Sequence, residues 1–118
     1  ITSTNVFSHP EELSIPLRWI AILSDDVRCD LAASTGIHDH KAMIKQLLAG
    51  AKVVQISSIL YDKGISQIPK FINGLEKWME KHSFSSIDDF RGKMSYENAN
   101  NPAGFERVQF MKHFSGIE

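Results

Sequence analysis

The sequence predicts an α/β fold with parallel strands, and three observations lead to that prediction. Val53 to Ser57 is a short β-branched segment bounded by turn residues, which is typical of a buried strand. A second candidate strand, Asp30 to Ala33, lies upstream, and a helix is predicted between them over His40 to Ala49. Strand, helix and strand within about 28 residues form a βαβ unit, whose strands are parallel neighbours joined by a right-handed crossover.

Length and composition allow one domain of ordinary globular type. The chain has 118 residues, too few for a complete (β/α)₈ barrel, which takes roughly 200 or more. Its 13 Lys and Arg against 14 Asp and Glu exclude electrostatic capture of nucleic acid or of an anionic membrane as its main activity. No apolar run approaches the ~18 residues of a membrane span. The single cysteine, Cys29, cannot form an internal disulfide, so we expect a cytoplasmic protein.

The first helix is predicted over Ile15 to Leu23. Ser14 is its expected N-cap, and Pro16 falls in the first turn, where its missing N–H costs nothing. Most positions of the segment are apolar, so we expect it to pack on two sides. The second helix has Asp39 as its expected N-cap and Gly50 as the residue that ends it.

The carboxyl half of the chain is predicted to be mainly helical. After the second strand comes a long helix whose apolar stripe repeats at spacings of three and four: Ile65, Ile68, Ile72, Leu75 and Met79. Ser86 to Asp89 has the form of a capping box and begins a short helix that ends near Arg91. A last helix begins after Asn101, and its stripe is expected to dock on its own fold or to form a dimer interface. That stripe consists of Phe105, Val108, Met111 and Phe114.

Two parallel strands cannot close a core alone, because the strands of a parallel sheet are buried on both faces. We therefore expect that the rest of the sheet lies upstream or that another copy of the chain completes it. The chain also begins at Ile1 without an initiator Met, and no secondary-structure signal precedes about residue 13. Both observations predict that the sequence is a piece of a longer protein and that the isolated piece self-associates.

The candidate binding site lies at the carboxyl ends of the two strands, where the ligands of parallel α/β folds bind. The first end carries Thr35 and Gly36, and the second carries Ser57 and Ser58. These residues offer hydroxyls, backbone N–H groups and little bulk, and a helix begins shortly after each pair. That chemistry suits a phosphate group. Simple helix capping is the competing interpretation of the same residues.

Three segments of the chain carry recognisable motifs. Thr35-Gly36-Ile37 is followed by a helix and then by Leu47 to Ser58, LLAGAKVVQISS. Further on, Ser86 to Lys93 reads SIDDFRGK, and upstream Ser14 to Arg18 reads SIPLR. In this order and spacing the segments resemble the carboxyl end of the class 1 dihydroorotate dehydrogenases. That family has a Gly-Gly-Val/Ile turn, a helix, LLxGAxxVQVGT and, most specifically, Ser-Ile/Leu-Glu-Asp-Phe-Arg-Gly-Lys; the resemblance covers residues from about 10 to 93.

The resemblance implies that the chain is the C-terminal segment of a TIM (β/α)₈ barrel, with the last two parallel strands, the surrounding helices and a helical C-terminal extension. Residues 1–58 would be the last barrel units, and residues 59–118 the final helices and the extension. It further implies flavin mononucleotide (FMN) as cofactor, dihydroorotate as the small-molecule substrate, oxidised to orotate in pyrimidine biosynthesis, and a homodimer. Thr35 and Gly36 match one phosphate-binding glycine pair of the family, and Ser57 and Ser58 match its Gly-Thr pair.

Three departures from the family bear on the cofactor. Thr35 and Ser57 each stand where the family has glycine, and Pro10 and Glu11 fall where a third Gly-Gly turn is expected. Side chains at these positions must point away from the phosphate, or the phosphate must shift. The family's catalytic base, its flavin-side lysine and its substrate-binding asparagines have no match in this chain, so we assign no catalytic residue and expect the chain alone to be inactive.

Three functional hypotheses remain at this point. In the first, the chain is part of an FMN-dependent dihydroorotate dehydrogenase-like oxidoreductase and supplies the flavin-phosphate end of the barrel. The second is a divergent barrel remnant or pseudoenzyme that no longer binds flavin and acts as a binding or assembly module. The third, an independent small phosphate-binding domain, is less favoured because its sheet would have only two strands.

Other chemically interesting residues are interpreted as structural. His38 and His40 lie two positions apart, so they do not share a helix face, and no third metal ligand follows at a recognisable spacing. Cys29 is expected to be a small buried hydrophobe rather than a nucleophile, and Gln55 a buried strand residue with a structural hydrogen bond. Arg91 is expected to anchor the short helix. Packing roles are also expected for three aromatic residues: Trp19, Phe71 and Trp78.

Overall fold

The computed structural model describes residues 7–98, which form a mixed fold of helices and a small sheet. A 3₁₀ turn over Pro10–Leu13 leads into α1 (Ser14–Leu23), β1 (Ala32–Ala33), α2 (His40–Ala49), β2 (Val53–Val54), α3 (Ser58–Lys63) and α4 (Gln67–Lys81), followed by a second 3₁₀ turn, Ile87–Asp89. Within these residues no helix combines the length and apolarity needed to cross a membrane. The helix predicted after Asn101, with its stripe from Phe105 to Phe114, lies outside the described residues.

The sheet confirms the predicted parallel pairing. Ala32 lies opposite Val53 and Ala33 opposite Val54, with α2 as the connection between the strands. The N–H of Gln55 donates to the carbonyl of Ala33 at 2.8 Å, which continues the pairing one residue beyond β2. Both strands are shorter than predicted, because regular pairing covers two residues of each.

The core lies where α1, α2 and α4 pack beside the sheet. In α2 the buried apolar residues Ile44, Leu47 and Leu48 recur at the spacing of one helical face. Among the large side chains in the described chain, the most deeply buried include Phe90, Leu17 and Ile44. These residues are far apart in the sequence and pack together, so the described segment has a core of its own.

The predicted limits of α2 are confirmed. The carboxylate of Asp39 accepts a hydrogen bond from the N–H of Ala42 at 2.8 Å, which satisfies one of the unpaired donors at the helix start. At the other end the N–H of Gly50 donates to the carbonyls of Gln46 and Leu47, and its φ of +121° takes the chain out of the helix.

The start of α1 differs from the prediction. Leu13, the residue before the helix, already has helical angles (φ −60°, ψ −32°), because the first 3₁₀ turn continues directly into α1. Ser14 is therefore the first residue of the helix and not its N-cap. Its hydroxyl donates backwards to the carbonyl of Glu11 at 3.5 Å.

The expectation that α1 packs on two sides is wrong for the described residues. Leu17 and Ala21 are fully buried, whereas Ile15 and Trp19 are 68% and 51% exposed. The packing role expected for Trp19 is therefore not found, because α2 and the sheet cover only one side of the helix.

The region after β2 also differs from the prediction. It forms two helices, α3 and α4, separated by a turn at Gly64 with a φ of +85°, and the first of them was not predicted. In α4 the buried residues are Phe71 and Trp78, which confirms their predicted packing roles. The predicted stripe is only partly confirmed: Leu75 and Met79 pack against the core, whereas Ile65 and Ile72 are 77% and 51% exposed.

These residues belong to a set of exposed apolar side chains on β2, α3, α4 and the turn between the two helices, which we call the open flank. It comprises the exposed side chains of Val53, Tyr61, Ile65, Ile68 and Ile72. The prediction that β2 is buried is wrong for the described residues, since no described element covers Val53. A parallel strand exposed in this way is unusual, because such strands normally have both faces covered.

The second 3₁₀ turn and the residues after it pack against the end of α2. The N–H groups of Gly92 and Met94 donate to the carbonyls of Leu47 and Leu48 at the end of α2, at 3.0 and 2.9 Å. The Arg91 guanidinium pairs with Asp88 and donates through Nε to the carbonyl of Ala51 at 3.1 Å. The structure thus confirms Arg91 as the anchor of this turn.

Candidate functional site

The segments that follow β1 and β2 come together around a small pocket. It has a volume of about 210 Å³ and contains all four predicted site residues, Thr35, Gly36, Ser57 and Ser58. They meet because β1 and β2 are parallel and in register, so their carboxyl ends lie at the same edge of the sheet. The other lining residues are Ser8, Ser34, Ile37, Gln55 and Ile56.

The backbone at Thr35 and Gly36 is unusual. Both residues lie in the left-handed region, with φ of +78° and +77°. Gly36 is obligatory here, since a Cβ at that position would lie 2.4 Å from the backbone nitrogen of Leu13. Thr35 adopts the same φ with a β-branched side chain, which costs about 1 to 3 kcal/mol unless the surroundings enforce it. Such strain is characteristic of turns that serve a ligand.

Ser8 connects the two halves of the pocket. Its hydroxyl accepts a hydrogen bond from the N–H of Gly36 at 3.2 Å, and its own N–H donates to the Ser58 hydroxyl at 2.9 Å. The two serine hydroxyls are 3.3 Å apart, and Nε2 of His38 lies 3.2 Å from the Ser8 hydroxyl. An oxygen atom thus already occupies the position in front of the Gly36 N–H, where an anion would also bind.

The remaining donors of the pocket are available. Among the described residues the N–H groups of Thr35 and Ser57 make no hydrogen bond, and both residues are exposed. The hydroxyls of Ser57 and Ser58 add further donors. No carboxylate among residues 7–98 lines the pocket, so none of its described lining residues repels an anion. Its donors are neutral, which suits a phosphate bound by backbone N–H groups rather than by arginine or lysine.

A larger cavity adjoins this pocket and shares Ser8 and Ser58 with it. The cavity has a volume of about 630 Å³, and Phe7 and Tyr61 form part of its wall with ring centroids 5.3 Å apart. Lys63 and Asp62 bring one positive and one negative charge to its lining. The phosphate pocket therefore opens towards a partly apolar space large enough for a small ligand.

Ser8 was missed by the sequence analysis. The expected third turn at Pro10 and Glu11 does not reach the pocket: Pro10 begins the first 3₁₀ turn and lines only the adjoining cavity, and Glu11 lines neither. No local pattern marks Ser8, because its partners Gly36 and Ser58 are 28 and 50 residues away in sequence. Only the tertiary fold brings it to the site.

The structure also tests the structural roles that the sequence predicted for other residues. Cys29 is exposed rather than buried. Gln55 is also exposed and lines the pocket, whereas the buried glutamine is Gln46, whose side-chain oxygen and nitrogen have no partner among the described residues. Residues 7–98 include no group of three His, Cys, Asp or Glu side chains close enough to hold a metal ion.

Comparison with known proteins identifies the relatives of this chain. No protein-family model matches it. It is 31% identical over 86 residues to the catalytic subunit of dihydroorotate dehydrogenase B (NAD(+)) of Pyrococcus furiosus, an alignment that covers 73% of this chain and 29% of that protein. It is 33% identical over 60 residues to the dihydroorotate dehydrogenase (fumarate) of Lachancea kluyveri, covering 51% of this chain and 19% of the relative.

A third relative is dihydroorotate dehydrogenase A (fumarate) of Lactococcus lactis, 36% identical over 59 residues, which is half of this chain and 19% of that protein. The resemblance to the dihydroorotate dehydrogenases is thereby confirmed. The chain spans less than a third of the length of these relatives.

Proposed function

Because the chain is related to the dihydroorotate dehydrogenases, we propose that it is part of a dihydroorotate dehydrogenase-like oxidoreductase and supplies the phosphate-binding end of its FMN site. The whole enzyme would oxidise dihydroorotate to orotate in pyrimidine biosynthesis. The residues proposed to hold the phosphate are Thr35, Gly36, Ser57 and Ser58. The observation that carries the proposal is their convergence on one pocket at the carboxyl edge of the parallel strands.

The pocket fits the terminal phosphate of FMN on three counts. Two backbone N–H groups, those of Thr35 and Ser57, have no partner among the described residues, and the two serines add hydroxyl donors. Gly36 allows the turn to pack against the Leu13 backbone, which holds the turn in place. No carboxylate among the described residues lines the pocket. Neutral donors held by a rigid backbone are a common solution for phosphate binding.

Ser8 determines how this site differs from a glycine-lined one. Its hydroxyl accepts from the Gly36 N–H and lies against Ser58, so a phosphate must displace this hydroxyl or accept a hydrogen bond from it. A serine hydroxyl can do the latter, because it rotates to donate where it previously accepted. In this proposal Ser8 is the additional ligand that compensates for the side chains at Thr35 and Ser57.

The chemistry of the enzyme would come from the bound flavin, which accepts a hydride from the substrate. The described residues would contribute binding and orientation: they would hold the phosphate end, and the adjoining cavity would accommodate the neighbouring part of the cofactor. No catalytic base is assigned in this chain. We therefore propose the activity for the longer protein and not for this segment alone. The cytoplasmic location expected from the sequence is likewise a proposal for the longer protein.

We further propose that the chain forms the last units of a TIM barrel, with residues 1–58 contributing the final strands and residues 59–118 the closing helices and extension. The open flank supports this, because a barrel covers both faces of every strand and Val53 is half exposed. Contact with the remaining barrel, or with a second copy, would cover Val53 and Ile72. Self-association of the isolated chain follows from the same exposed surface.

The test is a titration of FMN into the longest obtainable form of the protein, followed by visible absorbance and by quenching of flavin fluorescence. We expect saturable binding that is lost in Ser57→Asp and in Thr35→Asp, because each adds a negative charge beside the phosphate. Asp tolerates positive φ better than Thr, so Thr35→Asp should not disturb the fold. Ser66→Asp, at an exposed serine that lines no pocket, is the matched control and should bind as the parent does.

Failure of a folded, full-length protein to bind FMN would overturn the proposal. The alternative would then hold: a divergent remnant or pseudoenzyme, in which the Ser8 hydroxyl permanently occupies the Gly36 N–H and the chain acts as an assembly module. If FMN binds, reduction of its visible absorbance by added dihydroorotate tests the substrate.

A further inference from the structure

A second pocket lies on the other side of α2, where the start of that helix meets α4. We call it the lysine pocket. Its volume is about 530 Å³, which is within the range of small-molecule sites. None of its residues lines the phosphate pocket or the adjoining cavity. It is lined by His40, Lys70, Asn73, Gly74, Lys77, Trp78 and Lys81.

The charge of the lysine pocket is entirely of one sign. Lys70, Lys77 and Lys81 occupy one face of α4, and no carboxylate contributes to the lining. None of the three lysines forms an ion pair with any described residue, although Glu76 and Glu80 lie on the same helix. Three like charges on one face repel each other, so the bare arrangement is unfavourable without a counter-charge.

Trp78 lines the pocket with a ring that is only 8% exposed. Its indole nitrogen is fully buried, so this nitrogen is not one of the groups open to a ligand. The ring is held in place by Phe90, in an edge-on contact with centroids 4.9 Å apart, and by Phe84.

The wall opposite α4 is also fixed. His40, the first residue of α2, packs so closely on Gly74 that a Cβ there would lie 2.3 Å from the imidazole. The imidazole and the Asn73 amide add hydrogen-bonding groups to the three ammonium groups. The pocket therefore combines three exposed ammonium groups with a fixed wall that His40 and the packed Trp78 ring form.

We propose that the lysine pocket binds a small organic polyanion that carries at least two phosphoryl groups. Lys77 and Lys81 are one turn apart, about 6 Å along the helix, and Lys70 is about 10 Å further back, so they match several linked anionic groups better than a single one. The groove between His40 and α4 has a volume of about 530 Å³, which suits a compact ligand better than an extended acidic peptide lying across the surface. Nucleic acid is disfavoured by the net charge of −1.

The proposal does not depend on the FMN site and is tested separately, with inorganic tripolyphosphate as the probe. The full chain carrying Trp19→Phe, which leaves Trp78 as its one tryptophan, is titrated by fluorescence and by calorimetry. We expect saturable binding with a change in Trp78 emission. The double variant Lys77→Gln/Lys81→Gln should raise the Kd at least tenfold.

Two further variants distinguish a built site from general attraction to positive charge. Lys41→Gln/Lys52→Gln removes the same charge from exposed positions outside the pocket and should change the Kd less than twofold. Trp78→Phe keeps the aromatic packing and all three lysines; because the indole nitrogen is buried, this variant should change the Kd less than twofold in a protein that still melts cooperatively. Equal weakening by both lysine pairs, or no saturable binding up to millimolar probe, would overturn the proposal.

Discussion

The two strand–loop–helix units of this chain have similar sequences and different environments. Both end their strand in small and hydroxyl residues and then begin a helix. In the first unit Ala33 is 1% exposed and Asp39 caps a ten-residue helix. In the second unit Val53 is 52% exposed, and the six-residue helix α3 has no side-chain cap at Ser57.

The difference shows that burial was decided by neighbours and not by hydrophobicity. Val54, the register partner of Ala33, is the more apolar of the two, yet it is only partly buried whereas Ala33 is fully buried. The first unit is covered by α1, α4 and the second 3₁₀ turn, whereas the described chain supplies no element to cover the open flank. Mutations in the two units should therefore differ in cost even where the substitution is the same.

The largest expected contrast is between two glycines. Gly36→Ala should destabilise the chain by about 4 kcal/mol, since it combines a positive φ with overlap against the Leu13 backbone. Gly64→Ala also has a positive φ but meets no atom within 4 Å, so its cost should be about 1 to 2 kcal/mol. Urea unfolding followed by circular dichroism measures both. Equal costs would mean that the close approach at Gly36 is not maintained in solution.

The second contrast compares two isoleucines. Ile44→Ala, in the core of the first unit, should cost about 3 kcal/mol, because the residue is 1% exposed and its removal leaves a cavity. Ile65→Ala, at 77% exposure on the open flank, should cost less than about 0.5 kcal/mol in the monomer.

The same isoleucine pair tests the open flank as a contact surface. If self-association covers Ile65, its replacement should weaken the association measured by analytical ultracentrifugation, whereas Ile44→Ala should act on folding alone. A monodisperse monomer at high concentration would argue against the barrel-segment proposal.

The third contrast concerns the caps of the two helices. Asp39→Ala should cost about 1 kcal/mol, because it removes the acceptor for the Ala42 N–H. Ser57→Ala should cost only a few tenths of a kcal/mol, since its hydroxyl makes no capping hydrogen bond. Thermal melts of both variants check this. A larger loss for Ser57→Ala would show that α3 is capped in solution.

The smallest effect is a pH dependence in the turn that closes the first unit. The hydroxyl of Ser85, followed by the N–H groups of Ser86 and Ser85, donates to the Asp89 carboxylate and lowers its pKa below the ordinary value of 3.8. A pKa that is lower in the folded chain contributes stability above the unfolded value, and this contribution is lost as the pH falls through the folded pKa.

A carboxyl titration by NMR measures this shift directly. Ser85→Ala removes the leading cause, so the pKa of Asp89 should rise towards its ordinary value. Asp89→Asn should make stability less sensitive to acid below about pH 4. An unchanged Asp89 titration in Ser85→Ala would contradict the hydrogen bonding in this turn.

Local signals in the sequence predicted local structure well. Asp39 and Gly50 set the limits of α2 as expected, and Ser86 to Asp89 forms its predicted turn. The residues at the strand ends were also found, since their position follows from the parallel βαβ unit alone. Such features depend on neighbouring residues, which the sequence shows directly.

Predictions that depended on distant residues were less successful. Half of the predicted α4 stripe packs, through Leu75 and Met79, whereas Ile65 and Ile72 are exposed. Gln55 was expected to be buried and is exposed, and Ser8 was not recognised at all. In each case the deciding contact lies many residues away in the chain.

The sequence by itself determined the βαβ unit, the parallel pairing of its strands and the family relationship. The tertiary structure alone decided which face of each helix is buried and which oxygen lies in front of Gly36. It also placed His40 of α2 beside the three lysines of α4 in one pocket. The physical reason is that helix limits and turns depend on hydrogen bonds between near neighbours, whereas burial depends on which distant surfaces are available to pack.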